Sequence, residues 1–324
     1  MCVPTSQAHR DTKMPHDSVG ETDSEGMKAL KARLSGFESE EGRVKGLEMR
    51  PRDSDVFIVT TPKAGTTWMQ QIVHQLRTGG DMDFEEINCV VPYIEIAHDC
   101  GWDLDAEQKG SFRAFKTHAW FGHVPKPGKY IYVARDPHDC AASFFKFFEG
   151  WFFSPGEVGV EEFVRNFVLA RGSPASIMQN ASYWHHLASW FPHRSDPNVL
   201  WVNYEDLRAD LTGEVRRVAA FLGFAGKEER IAAATERASF AYMSAHAGQF
   251  DENVSKRLRN PECGLAPDAG RDNGKVRAGN GDGKVVLPQS VREALDERWA
   301  GVVLPETGCA SYAALLEKTR AERL

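Results

Sequence analysis

The chain has 324 residues, 42% hydrophobic and 26% charged, a balance that buries a sizeable core without staples and excludes wholesale disorder. Its 39 Lys and Arg against 46 Asp and Glu leave a net charge of −7, so there is no global basic field to hold nucleic acid or an anionic membrane surface. No stretch of about 18 apolar residues occurs, and the six cysteines, Cys2, Cys89, Cys100, Cys140, Cys263 and Cys309, make no CxxC pair and no zinc spacing. A transmembrane helix is therefore excluded on length, a disulfide-built secreted scaffold is not expected, and a reducing, cytoplasmic location is.

Residues 1 to about 45 are rich in Ser, Thr, Asp, Glu and Gly, and are expected to form a mobile tail before a single domain spanning 46–324. At Val56 the texture changes. Val56-Phe57-Ile58-Val59-Thr60 reads as a buried strand that feeds a turn at Pro62-Lys63-Ala64-Gly65. Trp68, Met69, Ile72, Val73 and Leu76 then recur at helical spacing until Gly79-Gly80 closes the segment. Further strands are predicted at 112–116, 130–134 and 199–202, with a Phe-rich helix opening at Asp136-Pro137. Helical patterns fill 160–171, 179–190, 214–223, 227–237 and 289–300, while 251–286 reads as a long loop. Short apolar strands alternating with helices predict one α/β domain with a central parallel sheet flanked by helices.

The turn after the first strand carries the most information. In Lys63-Ala64-Gly65-Thr66-Thr67-Trp68, a glycine turn meets a helix N-terminus, where unpaired N–H groups and the helix dipole cradle phosphate. Thr66 and Thr67 add hydroxyls and Lys63 adds a mobile charge. The lysine precedes the glycine, unlike the common GxxxxGK[ST] nucleotide loop.

This segment resembles the 5′-phosphosulfate loop of the cytosolic sulfotransferases, Pro-Lys-Ser-Gly-Thr-Thr-Trp, with Ala64 replacing the usual serine. Three further stretches extend the resemblance. Arg135, after Tyr130-Ile131-Tyr132-Val133-Ala134, with Ser143 downstream, matches the pair that holds the 3′-phosphate of 3′-phosphoadenosine 5′-phosphosulfate (PAPS). Tyr204, in Asn203-Tyr204-Glu205-Asp206, matches the tyrosine that contacts adenine, and Ser239 and Phe240 match an element closing over it, although Ala238 replaces its threonine. The family's glycine-rich 3′-phosphate loop is altered here to Val276-Arg277-Ala278-Gly279-Asn280-Gly281-Asp282-Gly283-Lys284, leaving Arg277, Ala278 and Gly279 as expected contacts, with Lys275 in support.

Phe115-Lys116-Thr117-His118 ends a predicted strand, where open α/β sheets place ligands. The resemblance makes His118 the catalytic histidine, and an ordinary imidazole pKa near 6.5 suits a general base. Lys116 and Lys63 would stabilise charge on the sulfonate and the leaving phosphate oxygen. The implied reaction moves the sulfonate of PAPS to a small alcohol, phenol or amine, yields adenosine 3′,5′-bisphosphate, and needs no metal. An aromatic run, Phe144, Phe145, Phe147, Phe148, Trp151, Phe152 and Phe153, is expected to wall the acceptor pocket in part, together with Tyr93, Trp120 and Phe121. His185 and His186 read as packing or pocket residues. The family's dimer segment keeps Lys284 and Glu293 but holds Pro288-Gln289 at its centre, so a monomer is expected. A P-loop kinase and an inactive nucleotide-binding module remain open at this point.

Overall fold

Val56–Thr60 (β1) is apolar or β-branched at every position because it runs through the middle of a sheet covered on both faces. In the computed structural model, which describes residues 23–271, 274–276 and 285–323, β1 pairs in parallel with β2 (Ala114–Thr117) and β3 (Lys129–Ala134). β3 in turn pairs with β4 (Val199–Asn203), giving the order β2-β1-β3-β4. The expected α/β architecture with a central parallel sheet is present.

The register sets the chemistry of each face. Phe57 stands opposite Phe115 and Tyr130, and the three rings stack at 5.5 and 5.7 Å on the face that carries the aromatic half of the core. On the other face Val56 and Ile58 meet Met69, Ile72, Val73 and Leu76 of the helix that follows β1.

In chain order the helices are α1 (Glu25–Leu34), α2 (Glu40–Leu47), α3 (Thr66–Thr78), α4 (Ile87–Val90), α5 (Ile94–Ala97), α6 (Pro137–Phe148) and α7 (Val160–Phe163), which runs into a π-helical stretch at Val164–Val168. There follow α8 (Tyr183–Trp190), α9 (Tyr204–Ala209), α10 (Leu211–Phe221), α11 (Glu228–Arg237), α12 (Phe240–Ala245), α13 (Asn253–Arg259), α14 (Gln289–Thr307) and α15 (Tyr312–Ala321). Among the described residues no helix is long and apolar enough to cross a membrane.

Two expectations are corrected. Residues 25–34 and 40–47, assigned to the tail, are helices packed on the domain. Ser24 and Ser39 cap them by accepting from the backbone N–H of Met27 and Gly42, and Met27 and Leu30 are fully buried. Gly46 lies so close to the Ile94 carbonyl that a Cβ would sit 2.0 Å from the oxygen. Its glycine is a contact point between α2 and α5 rather than a mark of flexibility. The long loop at 251–286 also contains α13, whose backbone N–H groups at Val254 and Ser255 are held by the buried Glu86 carboxylate.

All four strands point the same way, so the segments leaving their C-terminal ends share one edge of the sheet. The chain turns from one side of β1 to the other between β2 and β3, which opens a crevice at that edge.

Candidate functional site

The loop between β1 and α3 is shaped by two residues in left-handed conformation. Gly65 has φ +108°, and a Cβ there would approach the Tyr204 ring to 2.9 Å, so the position admits only glycine. Lys63 has φ +70°, and with Glu252 (φ +58°) it is one of two non-glycine residues at positive φ among those described. That turn directs the Lys63 carbonyl at Arg135, whose Nη1 donates to it at 2.9 Å. Thr66 Oγ1 lies 2.6 Å from Thr60 Oγ1. Among the described residues no side chain caps the start of α3, which leaves its first N–H groups for a ligand. Ala64 is fully buried and does not line the cavity beside this loop.

A cavity of about 520 Å³ opens beside this loop, lined by Lys63, Gly65, Thr66, Thr67 and Trp68, by Arg135 and Ser143, and by Tyr204, Ser239 and Phe240. The guanidinium of Arg135 lies 4.2 Å from the Tyr204 ring centre, and Trp68 meets the same ring edge-on at 5.5 Å while donating Nε1–H to the Ala238 carbonyl at 2.7 Å. Ser239 caps α12 by accepting from Tyr242 N–H, and Phe240 leaves 50% of its surface exposed. Two buried polar atoms on the lining, Thr67 Oγ1 and Arg135 Nε, have no hydrogen-bond partner among the described residues. Such orphans are costly unless a ligand satisfies them. Together with the uncapped helix and the exposed ring, they fit a phosphorylated nucleotide. Lys275 and Val276 complete the wall, whereas Arg277, Ala278, Gly279 and Lys284 lie outside the described residues.

Lys116 and His118 stand at the end of β2, on the border with a second cavity of about 250 Å³. Lys116, Phe147 and Glu252 line both cavities and mark where they meet. Lys116 Nζ lies 2.8 Å from Glu252 Oε1 and 4.3 Å from the Tyr93 ring centre, and Lys275 reaches the same Glu252 oxygen at 2.6 Å. Burial works against the Glu252 charge, but the two lysines outweigh it and hold the carboxyl well below its usual range. Lys63 Nζ sits 3.9 Å above the Phe147 ring, on the nucleotide-sized side of the border.

His118 Nδ1 is 2.8 Å from the Thr60 carbonyl, which can only accept, so Nδ1 carries the proton and Nε2 keeps its lone pair. Burial, reinforced by Lys116, pushes the imidazole well below 6.5. The ordinary value expected from sequence is thus corrected. The ring is neutral and ready to accept a proton over a wider pH range, as a weaker base. Glu95 fixes this corner: its Oε1 accepts from Thr117 Oγ1 and from His118 N–H, both at 2.8 Å, and burial raises its carboxyl to about 7.

The second cavity is largely aromatic. Phe144, Phe147, Phe148, Trp151, Phe152 and Tyr93 line it as expected, while Phe145 and Phe153 belong to the core. Trp120 and Phe121 do not reach it. Phe121 instead stacks on His193 with ring centres 3.4 Å apart. His186 is core packing against Tyr132, and His185 is bonded to Ser182. Residues of α1 and the turn after it, Leu34, Phe37 and Glu38, form a wall that sequence reasoning placed in the tail. Glu252 and Arg171 were also missed. Neither sits in a motif, and nothing in their sequence neighbourhoods points to a cavity.

Residues 53–297 match the Sulfotransferase domain family, most of the chain and every strand described above. The chain belongs to the sulfotransferase domain family. It is 28% identical over 253 residues to luciferin sulfotransferase of Photinus pyralis, an alignment covering 68% of this chain and 64% of that protein. It is 29% identical over 197 residues to amine sulfotransferase of Oryctolagus cuniculus, covering 59% and 64% respectively. The aligned part thus spans just under two-thirds of these relatives' own length. The fold is shared with retinol dehydratase solved with androsterone and the inactive cofactor PAP, at TM-score 0.62 and 21% identity, over 89% of this chain and 96% of that one.

Proposed function

We propose that this protein transfers the sulfonate of PAPS to a hydroxyl or amine of a small acceptor. The observation that carries the reading is the meeting of the two cavities at Lys116, with His118 lining the smaller one and the phosphate loop lining the larger. In-line transfer asks the protein for positioning, charge stabilisation and a base. Arg135, Ser143, Thr66, Thr67 and the α3 N-terminus would take the nucleotide's two phosphate ends, and Tyr204, Trp68 and Phe240 its base. The acceptor oxygen attacks sulfur while its proton passes to His118 Nε2. The bond from sulfur to the 5′-phosphate oxygen breaks, and Lys63 and Lys116 stabilise the charge left there. Glu252 pairs with Lys116 and, through the same oxygen, with Lys275, which would hold Lys116 for this role.

The names of the relatives support the same class, since sulfotransferases acting on luciferin and on amines are among them and PAP occupies a protein of this fold. Incubation with radiolabelled PAPS and a panel of phenols, alcohols and amines tests the reading. Label on an organic product, lost in Lys116→Ala, is the expected outcome. Tight PAP binding with no transfer to any acceptor would make the protein a nucleotide-binding module instead.

A further inference from the structure

Among the described residues, one charged group lining the second cavity has no ion-pair partner. Its other ionic groups are matched: Lys31 pairs with Asp23 at 2.6 Å, both Glu38 oxygens accept from Arg43 Nη1 at 3.1 Å, and Lys116 pairs with Glu252 at 2.8 Å. Arg171 differs. It lines the cavity, yet among the described residues it has no carboxylate within ion-pair distance and makes no hydrogen bond. Its guanidinium carbon lies over the Phe167 ring, 4.3 Å from the ring centre. Phe167 lies in the π-helical stretch and also lines the cavity. A guanidinium held over a ring by cation–π attraction still has N–H groups to offer, and a guanidinium can receive a carboxylate through two parallel hydrogen bonds. Burial lowers the Arg171 pKa from its ordinary value, and Glu38, already committed to Arg43, opposes this. A partly desolvated cation of this kind is stabilised by an anion that arrives with the ligand.

Size narrows the ligand further. A cavity near 150 Å³ takes a single benzene ring, so about 250 Å³ suits one ring with a short side chain. We infer that the acceptor is a small aromatic or benzylic alcohol carrying a carboxylate, which Arg171 receives while the hydroxyl faces His118. The inference rests on the sulfuryl-transfer reading and names the substrate class of that site. A neutral alcohol would leave Arg171 unanswered, and a cationic amine would meet it with like charge.

The test compares three acceptors of similar size: para-hydroxyphenylpropanoate, its primary amide, and tyramine. With radiolabelled PAPS the acid should exceed the amide in kcat/KM by roughly ten- to a hundredfold, the range for a charge-assisted hydrogen-bonded pair. Tyramine should be poorest. In Arg171→Gln the ratio of acid to amide should fall to about one. Equal use of acid and amide by the wild type, a preference for tyramine, or a variant that lowers both in the same proportion would overturn the inference. If no compound is sulfated, the parent reading fails by itself, and calorimetry on PAP-loaded protein decides the role of Arg171 separately. Acid binding well above amide binding, lost in Arg171→Gln, supports the anion site; equal binding overturns it. Should the variant not fold, the wild-type comparison still decides.

Discussion

The two cavities meet at Lys116, Phe147 and Glu252, but they are built in opposite ways. The larger takes several of its lining residues from segments leaving the C-terminal ends of strands: the loop after β1, Arg135 after β3 and Tyr204 after β4. Each arrives with its backbone fixed by the sheet, so a few local stretches determine the site. The smaller is walled by α1, α5, α6 and the π-helical stretch, elements far apart in the chain that converge only through packing. A nucleotide is one ligand recognised by fixed charges. An acceptor varies, and a wall of rings can be altered without disturbing the sheet.

The division predicts that damage on one side spares the other. The largest effect is expected for His118→Ala, with turnover falling about 10²–10⁴-fold, the range for removing a general base, while PAP affinity stays near wild type. In the wild type, the acid limb of kcat/KM should lie well below pH 6.5, because burial and Lys116 depress the imidazole. A limb centred at 6.5 in a pH–rate profile would mean that another group takes the proton. A loss of PAP binding in the variant would break the separation outright.

Glu95 tests the acceptor side through stability. Its carboxyl is raised from 4.5 to about 7 by burial, so the folded protein keeps a proton that the unfolded chain releases above 4.5. The stability it contributes is full below pH 4.5 and is lost as pH rises through 7, by about 3 kcal/mol at 1.36 kcal/mol per unit. Glu95→Gln has no such loss. Denaturant titrations at pH 5 and pH 8 should show the variant gaining on wild type by about that amount, and an identical pH slope for both proteins would contradict the shift.

How much of this was legible in the sequence follows the same division. The phosphate loop, Arg135, Ser143 and Tyr204 could be read because each lies in a short pattern fixed by a strand end, and the structure brings them to one cavity. Lys116 and His118 were read from the end of β2, although their environment was not. The depressed imidazole comes from burial and from Lys116, and sequence spacing does not report burial. The wall formed by Leu34 and Phe37 was hidden by composition, since Gly, Ser and Glu around them suggest a tail when they serve as caps and contact points. Glu252 was hidden for a different reason. Its left-handed backbone and its two lysine partners are tertiary facts, and Asp251-Glu252-Asn253 alone looks like a solvated turn.

Smaller effects sharpen the contrast. Arg135→Ala removes the guanidinium proposed to meet a phosphate and should weaken PAP by roughly ten- to a hundredfold, from about 1.5–3 kcal/mol. Acceptor KM at saturating PAPS should hardly move, and a parallel rise in both would show that the cavities are one site. Phe37→Ala should do the reverse. Its ring packs edge-on against Trp151 at 5.5 Å and Phe152 at 6.3 Å. Losing an aromatic pair worth about 0.5–1.5 kcal/mol should raise acceptor KM by about three- to tenfold and leave PAP affinity in place.

On the proposed reading the larger cavity is made for a nucleotide with phosphates at both the 3′ and 5′ positions. Calorimetric titration of the wild-type protein with adenosine 3′,5′-bisphosphate and with AMP tests it most directly. The bisphosphate is expected to bind tighter by at least roughly tenfold, since Arg135 and Ser143 would answer the extra phosphate. Equal affinities for the two nucleotides would contradict it.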